Sequence, residues 1–276
     1  MGLFDFLSDK KNTKKLPENV AEKVLIEIKH QISKPCISLI FKDEETSVFN
    51  SKIAGEPFLP EGFIYPVDKS SGEPLVFLAQ INFSELPRIE GFPANGILQF
   101  YIKDKMFYGM DFDNRINQNS FRVCFHPGIT GNETTYSSPV KTYDKEMFPV
   151  HKTCKIEGRI TTDYISHWIW NFREKLLPVY QQVTGSNVDT VPEKVIEFIE
   201  ENLHPTVESK IGGYPSFTQE DPRYEYKDYS ILLLQLVSEE SSGLMWGDCG
   251  IANFFITPDD FKRLDFDNVL YSWDCY

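Results

Sequence analysis

The chain is short of basic side chains: 28 Lys and Arg stand against 41 Asp and Glu, for a formal net charge of -13. A surface of that sign repels nucleic acid and anionic membrane, so neither is an expected partner. Its five cysteines, Cys36, Cys124, Cys154, Cys249 and Cys275, are scattered, odd in number and without a Cys-x-x-Cys pair. That usage argues against a disulfide framework and for a reducing compartment, the cytoplasm. No apolar run is long enough to cross a bilayer. The apolar start Met1-Gly2-Leu3-Phe4-Asp5-Phe6-Leu7 is too short for a signal-peptide core, and Lys10, Lys11, Lys14 and Lys15 follow rather than precede it. Gly-x-Ser-x-Gly, Gly-x-Gly-x-x-Gly and the phosphate-loop pattern are all missing, which argues against a serine nucleophile elbow and against ATP chemistry.

Aromatic residues, in contrast, are plentiful, with 22 Phe and 13 Tyr, a composition that suits sheets. One set of segments also occurs twice in the same order. Gly55-Glu56-Pro57, the apolar run at 75–81 and Gly96-Ile97-Leu98-Gln99-Phe100-Tyr101-Ile102 return as Gly213-Tyr214-Pro215, the run at 231–236 and Gly250-Ile251-Ala252-Asn253-Phe254-Phe255-Ile256. Pro57 and Gln80 are 23 positions apart, Pro215 and Gln235 are 20 apart. Two copies of one supersecondary unit are expected, built into a single body.

Periodicity predicts an amphipathic helix over 17–33 stopped by Pro35, then strands over 37–41, 75–81, 97–102 and 121–125, with an edge strand over 152–160. A long aromatic-packed loop fills 51–71. Between the copies, Ile165, Trp168, Ile169, Phe172, Leu176, Leu177 and Tyr180 lie on one helical stripe over 162–183, with Pro178 at a kink or end. Thr190-Val191-Pro192-Glu193 reads as a capping box opening a helix to Leu203. Thr257-Pro258-Asp259-Asp260 caps a last short helix before a strand over 269–273. The sum is an α+β fold, mostly antiparallel, with an internal duplication and several peripheral helices. A variable N-terminus (1–16) precedes one domain (17–276), whose halves (36–160 and 211–276) are joined by a helical segment (161–204).

The densest polar cluster lies in the second copy: Gln219, Glu220 and Asp221, then Trp246-Gly247-Asp248-Cys249-Gly250. A carboxylate presented beside an indole suits a polar ligand, with Trp246 as the stacking face and Asp248 as the hydrogen-bonding group. Turn chemistry alone also explains the motif, with Asp248 capping amides and Trp246 filling core. Gln80 and Gln235 sit inside apolar strands, where each must tie its strand to a neighbouring loop or, in a second reading, face a ligand. Cys124, His126, His151 and Cys154 are zinc-type residues at unfavourable spacing. Asp111-Phe112-Asp113-Asn114 lacks the Gly and Glu of a calcium loop. Cys249 has no His near it in sequence for nucleophilic work. No metal and no cofactor is expected.

With Gly55-Glu56-Pro57-Phe58-Leu59-Pro60, Phe77-Leu78-Ala79-Gln80-Ile81, Gly212-Gly213-Tyr214-Pro215 and Trp246-Gly247-Asp248-Cys249-Gly250 in view, the chain resembles the YwqG-like family of bacterial proteins over roughly residues 20–275. Tyr65-Pro66 stands where that family has Trp-Pro. The resemblance implies a single α+β domain built on a duplication, and brings with it no activity, cofactor or catalytic residue. The expectation is a noncatalytic cytoplasmic binding protein for a basic protein partner. The alternative is a small-molecule binder or hydrolase using Gln219, Asp221, Trp246 and Asp248.

Overall fold

A computed structural model describes residues 18–129, 134–140, 143 and 147–276. The apolar start and the four lysines after it lie outside the described residues. Ten strands form one antiparallel sheet: β1 (Ser33–Lys42), β2 (Lys52–Ile53), β3 (Val76–Asn82), β4 (Ile97–Ile102), β5 (Phe121–His126), β6 (Cys154–Tyr164), β7 (Lys210–Gly212), β8 (Ile231–Val237), β9 (Ile251–Ile256) and β10 (Leu270–Asp274). Their order is β10-β9-β8-β7-β1-β6-β2-β3-β4-β5. A long β1–β6 ladder, ten pairs from Ser33↔Tyr164 to Lys42↔Lys155, thus forms a central seam. Four strands flank it on each side, β2 to β5 as one wing and β7 to β10 as the other.

The wings share internal detail. In each, the long second strand shifts register once, between Phe77 and Ala79 in β3 and between Leu232 and Leu234 in β8. Such bulges add local twist and bend a strand. The sheet curls until the wings face each other: the rings of Phe100 on β4 and Phe254 on β9 are 4.8 Å apart, and those of Phe121 on β5 and Tyr271 on β10 are 5.1 Å apart. The largest core fills the inside of this curl. Period-two alternation sends Phe254 into it and the adjacent Phe255 to the opposite face. There, beside Leu232 and Leu270, Phe255 is covered by α1 (Glu18–Gln31), α2 (Phe172–Thr184) and α3 (Glu193–Asn202), through Val24, Ile28, Leu176, Val179, Val195 and Ile199.

The repeated sequence corresponds to one repeated hydrogen-bonding device. Gln80 accepts the Phe58 amide (3.0 Å), and Gln99 across the ladder donates to the Phe58 carbonyl (2.7 Å). Gln235 accepts the Ser216 amide (2.6 Å), and its partner Asn253 donates to the Ser216 carbonyl (2.9 Å). Phe58 and Ser216 each follow the proline of the repeated Gly-x-Pro. The remaining amide protons reach loop carbonyls, Val48 and Asn50 for Gln80, and Glu208 for Gln235. Buried strand amides therefore fasten the same loop position in both wings, with the Asn253 Oδ1 atom alone of the four side-chain oxygens left without a hydrogen-bond partner.

Several expectations are corrected. The edge expected over 152–160 holds in part: β6 pairs with β1 along its length, but with β2 only at Cys154 and Lys155. Beyond Lys155 no partner strand on the β2 side is present among the described residues, and the exposed Glu157, Arg159, Ile160 and Thr162 of that stretch fall on both faces. Residues 162–164 belong to this strand, 165–171 form turns, and α2 begins only at Phe172, with Pro178 inside it. The capping box at Thr190 is absent. Pro192 occupies the boundary without a side-chain cap, and its carbonyl accepts from Val195. α1 ends at Gln31, and Pro35 lies within β1. As read, Thr257 does cap α4 (Pro258–Arg263), accepting the Asp260 amide at 3.1 Å.

Candidate functional site

The turns at 165–171 build the wall of a cleft. Ser166 closes them, its hydroxyl accepting the Trp168 amide and its carbonyl the Ile169 amide. Ile169 is thereby driven into the core under the helices, while Trp168 is left 55% exposed. The facing wall is 218–224. Asp221 joins the two, accepting the Trp170 amide (3.2 Å) together with Arg223 Nε (2.9 Å) and Nη2 (2.7 Å). This forked pair is buried, and the Arg223 guanidinium lies 4.7 Å over the Phe255 ring, a geometry in which arginine gains both hydrogen bonds and a ring contact. The carboxylate of Asp274 accepts the amides of Thr218 and Gln219 (3.1 Å each), and burial raises its pKa. Gln219 Nε2 then donates to the Cys275 carbonyl (2.7 Å), strapping the loop to the C-terminal strand.

The cleft between these walls is about 490 Å³, with Trp168, Trp170 and Tyr224 as aromatic faces and Glu174, Glu200 and Glu220 on its rim. A second lobe of about 410 Å³ shares Gln219, Glu220 and Tyr224 and runs on past Glu225 to Phe112 and Trp273. Tyr224, 53% exposed, stands where the lobes meet. Arg173 on the rim is held by the Glu193 carboxylate at 2.9 and 3.0 Å. Lys227 Nζ sits 5.1 Å over the Trp170 ring, so one indole of the wall already carries a cation.

Only two of the five sequence candidates meet here. Gln219 and Asp221 line the cleft, Asp221 as its tie. Gln80 is fully buried in the loop clamp of the other wing. Trp246 is fully buried in the core inside the curl, its ring 5.4 Å from that of Tyr108. Asp248 is exposed on the turn. Replacing Asp248 by Asn is therefore expected to leave thermal stability within about 0.5 kcal/mol; a larger loss in a melting experiment would make the side chain a cap of that turn.

Sequence reasoning missed His167, Trp168, Trp170 and Tyr224. The available signal was the run of apolar and aromatic residues at 168–170, which no single helical stripe can bury. The zinc-type residues have other work: His126 Nε2 meets Gln99 Oε1 at 2.8 Å, and burial lowers its pKa to about 4. Cys154 is buried, its Sγ facing the Ser242 carbonyl. Among the described residues no three His, Cys, Asp or Glu side chains are grouped to hold a metal ion. Tyr65, the departure from Trp-Pro, donates to the Leu75 carbonyl at 3.0 Å.

A curled antiparallel α+β body with an aromatic cleft against its helices is thus the class that the geometry defines. The model of DUF1963, a domain of unknown function, matches residues 51–275, and the chain belongs to that family. No curated protein matches it. Among the described residues no helix is long and apolar enough to cross a membrane.

Proposed function

We propose that the chain is a noncatalytic, YwqG-like binding protein of the cytoplasm, its two wings copies of one unit, and that the cleft beside α2 takes a basic segment of a protein partner. The observation that carries this reading is the pairing of exposed indole and phenol faces with rim carboxylates. A cation gains from both, and Lys227 over Trp170 is an instance within the chain. Glu174, Glu200, Glu220 and Glu225 supply the charge, and the net charge of -13 steers a basic partner from a distance. The five free cysteines support the reducing compartment. Against the hydrolase alternative, the Asp221 carboxylate is already taken up by Arg223, and Trp246 lies in the core.

Fluorescence anisotropy with a labelled Lys/Arg-rich peptide and its Glu-rich counterpart tests the reading. The basic peptide is expected to bind and to weaken with added salt. Trp168→Ala is expected to lose roughly 3- to 30-fold in affinity, the worth of one cation–ring contact, at an unchanged melting temperature. Equal binding of both peptides, or of both proteins, sinks it.

A further inference from the structure

Next to the aromatic cleft lies a smaller, more apolar hollow. α2 and α3 hold to the sheet through Leu176, Val179, Val195 and Ile199. Between the two helices and the segment that joins them a pocket of about 220 Å³ remains. Leu177, Val191 and Ile196 form its walls, Asp189 and Thr190 one lip, and Arg173 and Glu174 the other. Val191 is 7% and Ile196 2% exposed, so the floor is apolar and almost out of reach of water. Pockets for whole ligands begin at about 300 Å³, so this one is the size of a single side chain.

Its place relative to the aromatic cleft is fixed by the helices. Arg173 and Glu174 border both hollows. Along α2 the pocket lies one turn past the cleft, with Leu177 after Glu174. Along α3 it lies one turn before the cleft, with Ile196 ahead of Glu200. Residues three and four apart share a helix face, so cleft and pocket are successive hollows of one groove, separated by roughly one helical pitch of about 5.4 Å or a little more. Two residues of an extended chain advance about 6.6 to 6.8 Å and send both side chains to the same face. The charge of the groove also favours one kind of occupant. Arg173, which lines both hollows, is already held by the Glu193 carboxylate, which leaves Glu174, Asp189 and Glu200 to attract a cation.

We infer that this pocket is the selectivity subsite of the groove, an inference that rests on the reading of the cleft as the seat of a basic segment. It takes an aliphatic side chain of that segment, two residues away from the lysine or arginine that the aromatic faces hold. The exposed carboxylates steer any basic chain to the groove, whereas an apolar side chain placed in a desolvated pocket discriminates among such chains. A segment that carries charge alone fills only the aromatic half.

Labelled basic peptides that carry Leu or Ala two positions from a central lysine, before it or after it, are the probe, read by anisotropy on the full chain. In one of the two orientations the Leu peptide is expected to bind about 10-fold tighter than the Ala peptide. That gain is expected to vanish on Thr190→Trp, which fills the pocket from its exposed lip, and on Leu177→Gln, which makes one wall polar. The Ala peptide is expected to bind both variants as it binds the wild type, which also shows that they fold. Trp168→Ala is expected to weaken both peptides alike and to keep their ratio. Equal binding of the Leu and Ala peptides in both orientations overturns the inference, as does a gain that survives both pocket variants or one that is as large with Leu moved next to the lysine. Should the Ala peptide still bind in preference to a Glu-rich one, the reading of the cleft stands without the pocket. If no basic peptide binds, both fall together.

Discussion

Lys210→Met is expected to cost about 3–5 kcal/mol of folding stability, read as a fall in the urea midpoint at unchanged slope. Lys210 is fully buried, and its ammonium bonds Asp163 at 2.7 Å. The same carboxylate oxygen accepts the Tyr214 amide at 2.8 Å. Removing the cation would leave a buried carboxylate with backbone partners alone. The corresponding position in the other wing gives the opposite sign. Lys52 faces Gln80 across its ladder as Lys210 faces Gln235, and it too is fully buried, but its ammonium reaches the Ser47 carbonyl at 2.6 Å. Burial lowers its pKa to about 8, Glu85 and Glu56 opposing. A lysine whose folded pKa lies below the unfolded value of about 10.4 binds fewer protons when folded in the window between the two, so its stability contribution rises with pH across that window. Below pH 8 the cost is present in full, on the order of 3 kcal/mol. Lys52→Met is therefore expected to stabilise the chain at pH 7 by about 1–2 kcal/mol, after the lost bond is deducted, and to bring no gain by about pH 10.5. Tyrosine and cysteine ionisation also acts in that window, so the quantity to follow is the difference between variant and wild type. Equal destabilisation by the two substitutions would show that Lys52 has a carboxylate partner in solution.

Gly250→Ala is the second large effect, expected at about 3 kcal/mol or more. A Cβ on Gly250 would lie 2.0 Å from the Asp274 carbonyl oxygen and 2.7 Å from that of Trp246. Both are backbone atoms that no rotamer change can move, and the Gly250 amide itself bonds the Trp246 carbonyl at 2.7 Å. Gly247→Ala would meet the flexible Cys275 sulfur first, at 2.7 Å, and is expected to cost less. The urea midpoints of the two variants, set beside Asp248→Asn, separate the packing role of this turn from any role of its exposed carboxylate. A Gly250→Ala chain as stable as the wild type would refute the close approach of β10 to this turn.

These glycines show how far the sequence is readable. The Trp-Gly-Asp-Cys-Gly turn, the strands at 75–81, 97–102 and 121–125, and the buried strand glutamines follow from local pattern, since turn angles, alternation and amide satisfaction are set by near neighbours. The aromatic cleft is not local. Asp221 ties a loop to a segment 51 positions away, and the segment that supplies Trp168 imitates a helix because its apolar spacing continues into the true one. β6 misleads for a related reason. Its start, Cys154 and Lys155, lies between β1 and β2, whereas the exposed stretch from Glu157 has β1 alone, and a local polar pattern does not distinguish a half-paired strand from an edge. The packing of Phe266 beside β5, through Gln118 and Phe125, depends on where the curl brings it, which no spacing in the sequence records.

The position of β1 sets a condition on synthesis. This strand is paired along its length by β6, which is complete at Tyr164, but its other side waits for Lys210–Gly212. At ribosomal speed those about 46 residues take roughly 2 to 9 s, during which a nascent chain carries its future innermost strand as an outer one. Lys34, Lys42 and the proline at 35, which has no amide proton to offer, sit at the two ends of that strand. They are the residue types that discourage pairing between neighbouring chains on a polysome.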